Sequence, residues 1–103
     1  GQMPAVVEFT MKAKPGHYDE VMQKYIAFAD AFVETDPNEE LALITGDPAS
    51  GTIRGIGLYD THEAGGAANS RASMAAFMDE VADLIDGAPV RIEMDLVHAY
   101  IKV

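Results

Sequence analysis

Residues 5–13 alternate, with Val7, Phe9 and Met11 on one side and Glu8, Thr10 and Lys12 on the other. A period of two with one apolar side predicts a half-buried β-strand. Pro15-Gly16 breaks that pattern, and from Tyr18 the spacing changes. Tyr18, Val21, Met22, Tyr25, Phe28, Ala29 and Phe32 recur three and four apart, the stripe of an amphipathic helix. Asp19 and Glu20 stand in its first turn, where negative charge suits the helix dipole, and Thr35-Asp36-Pro37 ends it. Residues 41–45 and 52–60 predict two more strands, joined by Gly46-Asp47-Pro48-Ala49-Ser50-Gly51, a run of turn formers that suits a hairpin. Asp60 and Glu63 have the spacing of a capping pair and predict a short helical turn, interrupted at Gly65-Gly66. A second long helix is expected from Asn69 or Ser70 to Asp86. Met74, Phe77, Met78, Val81, Leu84 and Ile85 form its stripe, and Gly87 and Pro89 stop it.

Residues 90–103 form the last strand of the pattern. Ile92, Met94 and Leu96 fall on one side, and Arg91, Glu93 and Asp95 on the other. After Leu96 the apolar phase passes to Val97, Ala99, Ile101 and Val103, which marks a bulge or a strand moving from one environment to another. Strands usually run five or six residues, and a small sheet has no use for about 14. The far end is therefore expected to pair with a second subunit, giving a homodimer through the C-terminal strand; the alternative is an untidy edge strand. The whole order, β-α-β-β-α-β, predicts an α+β, ferredoxin-like split-βαβ fold, a four-stranded antiparallel sheet with both helices on one face. The other face must meet water, a ligand or another subunit.

Composition narrows the partners. A chain of 103 residues, 49% apolar, makes one domain with one modest core. No apolar run approaches the roughly 20 residues of a bilayer span, and no basic-then-apolar leader is present. Gly1-Gln2 before Met3 has the form of a tag remnant. Cysteine is absent, which removes disulfides and thiolate chemistry, and the expected compartment is the cytoplasm. The net charge of −10, with only seven scattered Lys and Arg, argues against nucleic acid and anionic membranes. A neutral, aromatic or weakly acidic small molecule remains compatible as a ligand; the alternative is that the acidity only keeps the protein soluble.

Three stretches carry a resemblance. Lys14-Pro15-Gly16-His17-Tyr18-Asp19-Glu20-Val21-Met22 enters a helix through a Pro-Gly step followed by acids. Gly57-Leu58-Tyr59-Asp60-Thr61-His62-Glu63-Ala64 ends a strand in an aromatic-acidic pair before an Ala-rich turn, and Gly87-Ala88-Pro89 leads into the long final strand. Together they resemble the antibiotic-biosynthesis-monooxygenase-like domains of the dimeric α+β-barrel superfamily, over nearly the whole chain. The resemblance implies two protomers with sheets packed as a barrel and a pocket between sheet and helices. It also implies oxygenase chemistry on quinols or polyketide aromatics without a cofactor. The superfamily's haem degraders use an Asn on the first strand with a Trp and a His on the helical side. Here the first strand has no Asn, the chain has no Trp, and the second long helix has no His, which argues against haem.

Cofactor-free oxygenation needs a base, a donor for the developing oxyanion, and a dry aromatic pocket. Histidine is the natural base near neutrality. His17 is expected on the surface; His62, at a strand-to-helix corner, and His98, on the final strand, are the catalytic candidates, each with a packing role as the alternative. Tyr100 shares a face with His98. Tyr59 shares a face with Gly55 and Gly57, which marks either close helix packing or a flat shelf for a ligand. Arg54, on the opposite face, can hold an anionic oxygen or pair with an acid, and Asn69 can cap a helix or reach a substrate oxygen. Three histidines without a metal-binding spacing predict no metal site. The expected function is a dimeric, cofactor-independent monooxygenase-like protein acting on a small aromatic or quinol. The alternatives are a non-catalytic dimeric binding module and an acid–base isomerase on the same fold.

Overall fold

In the computed structural model, which describes residues 3–103, the chain runs β1 (Ala5–Lys12), α1 (Tyr18–Thr35), β2 (Glu39–Asp47), β3 (Thr52–Tyr59), α2 (His62–Asn69), α3 (Ala72–Val81) and β4 (Val90–Asp95). Gly1 and Gln2, expected as a tag remnant, lie outside the described residues. The strands form one antiparallel sheet in the order β2-β3-β1-β4, the arrangement expected of a split-βαβ chain. No helix among the described residues is long and apolar enough to cross a membrane.

Register decides which side chains meet. Residues directly opposite in an antiparallel pair share a face. Val7 stands between Gly57 and Glu93, and Phe9 between Gly55 and Arg91. This face carries the helices: Val21, Tyr25, Ala29 and Phe32 of α1 are buried against it. Ile53 and Val21 are wholly buried, each worth roughly 1.5–3 kcal/mol of apolar burial. The other face carries Val6, Leu58 and Met94 in one row and Glu8, Ile56 and Ile92 in the next. It is left open, and Leu43, Val90, Ile92 and Met94 on its two outer strands are exposed.

The structure departs from the sequence expectations at four places. There are three helices, not two: α2 continues unbroken through Gly65 and Gly66 for eight residues, and Asn69 ends it and caps nothing after it. Its N-cap is Thr61, whose hydroxyl accepts from the Ala64 amide at 3.1 Å, one residue beyond the expected Asp60. The next helix, α3, stops at Val81, five residues short of Asp86. Backbone pairing takes over there: Ala13 bridges Ile85, Lys14 N donates to Leu84 O at 2.9 Å, and Asp86 N donates to Lys12 O at 2.7 Å. The stripe residues Leu84 and Ile85 are thus core residues of a turn that extends β1. Finally, β4 ends at Asp95, just before the apolar phase switches: Leu96 N still donates to Pro4 O at 2.9 Å, but among the described residues no strand pairs with residues 97–103. Val97, Tyr100 and Ile101 on that tail are exposed.

Candidate functional site

A cleft lies between the helix-bearing sheet face and the helices. Its roof is aromatic: Phe28 stacks on Phe77 of α3 with centroids 4.4 Å apart, Tyr25 stacks on Phe77 at 5.3 Å, and Phe32 tilts against Phe28 at 5.2 Å. Its floor is Val7, Phe9, Gly55 and Gly57. Met74 closes one side, and Glu39, Tyr59, Asn69 and Arg91 bring polar groups to it. The cavity is about 60 Å³, room for water but well below the roughly 150 Å³ of a void that takes a benzene ring.

The glycines of the floor are explained by what lies over them. A Cβ on Gly55 would collide with the Tyr25 hydroxyl and come within 2.5 Å of its Cζ. A Cβ on Gly57 would stand 2.6 Å from Glu39 Oε2 and 3.1 Å from the Tyr59 ring. Close approach of a helix and of Glu39, not a bare shelf, is what the two positions accommodate.

Glu39 reaches the cleft because of a bulge. Along β2, Ala42, Ile44 and Gly46 oppose Gly57, Gly55 and Ile53 on the helix-bearing face, while Leu41 and Leu43 oppose Leu58 and Ile56 on the open one. Regular alternation would put Glu39 with Leu41. A register shift between Glu39 and Leu41 instead sets Glu39 opposite Tyr59, and Glu40 turns to solvent. Glu39 Oε1 is shut off from solvent and has no hydrogen-bond partner among the described residues. Burial pushes this carboxyl from 4.5 up to about 7; the Tyr59 hydroxyl and, more weakly, Arg71 offset part of the rise, and Asp36 adds to it. Burial, with the charge of Glu39 beside them, holds the phenols of Tyr25 and Tyr59 well above their usual range.

The wall formed by α2 is tied to β4 by charge. Arg91 Nη2 donates to Gly65 O at 3.0 Å and to Glu93 Oε1 at 3.1 Å. His62, the first residue of α2, has Nδ1 2.5 Å from Glu93 Oε2 and Nε2 2.5 Å from Asp95 Oδ1. Only a doubly protonated ring donates from both nitrogens. Its hydrogen bonds to Glu93 and then Asp95 raise the His62 pKa above 6.5, and His62, followed by Arg91, lowers that of Glu93. Outside the cleft, the Arg71 guanidinium lies 4.2 Å over the ring of Phe32, a cleft residue, and donates to Thr35 Oγ1 at 3.1 Å.

Of the residues singled out from sequence, the structure brings Tyr59 and Asn69 to the cleft. His62 is not among those lining it. Arg54 lies on the open face, its Nε donating to Thr10 Oγ1 at 3.3 Å. His98 and Tyr100 stand on the exposed tail beyond β4, Tyr100 at 82% exposure. Glu39 and Arg91 were missed. The 91/93/95 alternation is visible in sequence, but not that this charged side faces the helices. Nothing in Glu39-Glu40-Leu41 signals the bulge. Among the described residues, no three His, Asp or Glu side chains are arranged to hold a metal ion.

Neither a family model nor a curated protein sequence matches the chain. Solved structures do. A "putative antibiotic biosynthesis monooxygenase" from Caulobacter crescentus superposes with a TM-score of 0.83 at 20% identity, over 94% of this chain and 92% of that one. A protein of the same description from Nitrosomonas europaea gives 0.82 at 12% identity, over 95% and 94%. A mutant of SnoaB, a cofactor-independent oxygenase from Streptomyces nogalater, gives 0.77 at 11% identity, over 93% and 95%. At these identities the likeness is one of fold: the chain has the antibiotic-biosynthesis-monooxygenase-like fold that its sequence resembles.

Proposed function

We propose that this chain is a cofactor-independent monooxygenase-like protein that binds a small phenol, enol or quinol in the cleft between sheet and helices. The observation that carries the reading is the cleft itself: an aromatic chamber with polar groups converging from β2, β3, α2 and β4. Its fold is shared with a cofactor-independent oxygenase, which supports the chemistry by analogy of fold. In that chemistry the ligand hydroxyl loses its proton, and the resulting electron-rich anion passes an electron to dioxygen. The protein's part is to orient the ring, hold the oxyanion and exclude water. Tyr59 and Asn69 take binding roles, and Arg91 takes the anion-holding role expected of Arg54. His62, engaged by a carboxylate at each nitrogen, acts as a tie between α2 and β4.

The open sheet face and the tail belong to the same proposal. A second copy covers Leu43, Val90, Ile92 and Met94, and residues 97–103 pair across the interface, bringing His98 and Tyr100 to the partner. Sedimentation at micromolar concentration is expected to show a dimer; a lone monomer removes this part.

The test of activity is oxygen uptake by purified protein, without added metal or flavin, on a panel of quinols, anthrones and enolisable phenols. Protein-dependent uptake that falls in Arg91→Ala and Tyr59→Phe is the expected result. A ligand that binds tightly and is recovered unchanged in air identifies a binding module instead.

A further inference from the structure

Glu39 is an expensive residue to keep where it is. A carboxyl oxygen shut off from water normally has a hydrogen-bond partner, and Oε1 has none. Its neighbour Oε2 lies against the backbone at Gly57, where no side chain is present to fill the space. The β-bulge turns Glu39 toward the cleft and away from the open face. The groups facing it from the packed elements are Tyr25 of α1, Asp36 after α1, Tyr59 of β3, Arg71 before α3, and Arg91 of β4. The two phenols are held neutral by burial and by the charge of Glu39. Asp36 lies 3.6 Å from Arg71 Nη1 and Glu93 3.1 Å from Arg91 Nη2, so each of these acids is paired with an arginine and does not compete for a donor brought to Glu39. The Tyr59 hydroxyl hydrogen-bonds the carboxyl, and what Oε1 lacks is a donor of its own.

We propose that Glu39 Oε1 accepts the hydroxyl proton of a neutral phenolic or enolic ligand in this cleft, making Glu39 the base of the site. The ligand O–H bond breaks, its electron pair stays on the ligand oxygen, and the proton forms a new O–H bond on the carboxyl. One negative charge moves from Glu39 to the ligand, so the net charge of the cleft is unchanged. The new anion lies in a chamber that Arg91 also lines. A base matched to neutral pH suits the task, and the burial that raises Glu39 to about 7 supplies one. His62 is unsuited to it, since a ring that donates from both nitrogens has no lone pair to offer. The inference rests on the reading above for the cleft as the ligand site, and not on the reaction with oxygen.

Binding of phenol and of its methyl ether, anisole, followed by NMR through the amides of Gly55 and Gly57, separates the two. Anisole offers no proton. If Oε1 must be charged to receive the hydroxyl, phenol affinity falls about tenfold from pH 8 to pH 6, the fraction of competent carboxylate being what a pKa near 7 leaves. Anisole shows no such slope, and Glu39→Gln binds phenol with no slope either. The glutamine variant keeps the His62 tie, so any pH effect arising there appears in both proteins. Circular dichroism checks that the variant folds, and Glu39→Asp, which withdraws the carboxyl from the cleft, is expected to weaken phenol binding while keeping a pH slope. The proposal is overturned by equal slopes for phenol and anisole, by a phenol slope that is as steep in Glu39→Gln as in the unsubstituted protein, or by no phenol binding at millimolar concentration. Phenol binding that depends on Glu39 without oxygen uptake on any substrate removes the monooxygenase reading and leaves this one. Uptake that persists in Glu39→Gln does the reverse.

Discussion

Glu39→Gln is expected to make the ligand-free protein more stable at pH 8 and to bring no such gain at pH 5. The carboxyl sits at about 7 in the fold against 4.5 when exposed, with burial as the leading cause. A pKa raised on folding means that the native state binds the proton more tightly than the unfolded chain. Stability is therefore unaffected below 4.5, declines as pH rises from there, and has lost its full share above about 7. At about 1.36 kcal/mol per unit the shift is worth at most ~3 kcal/mol. The group is only half buried, and solvent screening reduces this to ~1–2 kcal/mol. The amide carries no charge and escapes the penalty. The Tyr59 hydroxyl favours the carboxylate over the acid, and that pH-dependent part is already contained in the raised value of about 7. Urea unfolding of both proteins at pH 5 and pH 8 measures the effect, as a midpoint advantage of the variant roughly 0.5–1 M larger at pH 8. A difference between the proteins that does not change with pH would refute the burial of this charge.

Gly55→Ala forces a methyl into the Tyr25 hydroxyl and to within 2.5 Å of its Cζ. Tyr25 is buried and stacked on Phe77, so overpacking is expected to cost ~1–3 kcal/mol in urea unfolding, and an unchanged midpoint would deny the close approach. The His62 tie has a pH window. With its pKa raised, His62 contributes fully below 6.5 and loses its contribution as pH climbs through the raised value; Glu93, lowered, loses its own as pH falls below 4.5. Amide protection across α2, corrected for intrinsic exchange, should therefore drop on going from pH 7 to pH 9 and be low at both in His62→Gln. Protection indifferent to the substitution would show that α2 is held by other contacts. Deleting residues 97–103 removes exposed groups, so unfolding of the isolated chain should change by no more than ~0.5 kcal/mol. The same deletion should shift sedimentation toward the monomer, and a truncated chain that dimerises normally would take the tail out of the interface.

The fold was legible in the change of period. Alternation at Val7, Phe9 and Met11, then spacing of three and four from Tyr18 to Phe32, located β1 and α1 to within a residue or so, because both bury one continuous side. The reading failed where a long-range pairing overrode local pattern. Leu84 and Ile85 continue the helical stripe, yet their backbone bonds to Lys14 and bridges Ala13, partners that no local window contains. Gly65-Gly66 has the form of an interruption, but Gly65 faces Val7 and Glu93 inside a continuous helix. For the site, Tyr59 and Asn69 were legible because an aromatic at a strand end and an amide near a helix end are recognisable types. Arg91 and Glu39 were not. An alternating strand does not declare which of its sides meets the helices, and in β4 it is the charged one. A bulge that reverses one side chain leaves no mark in composition.

The small cavity ties these observations together. At about 60 Å³ it is less than half the void that a single aromatic ring needs, so a ligand of the proposed class requires one wall to give way. The floor is sheet, and the roof is a stacked core of Tyr25, Phe28 and Phe77. The remaining walls are Met74, whose unbranched chain adapts cheaply, and α2. Helix α2 is eight residues long, contains two glycines, and buries only Gly65 and Ala68, so little apolar area holds it down. What holds it is largely the half-exposed set of Arg91, Glu93, Asp95 and His62, in which water can replace each partner as the helix lifts. A wall tied by such ion pairs opens at far smaller cost than one sealed by a core. The ligand that enters brings both the ring that fills the chamber and the donor that Glu39 lacks, and these gains offset the opening.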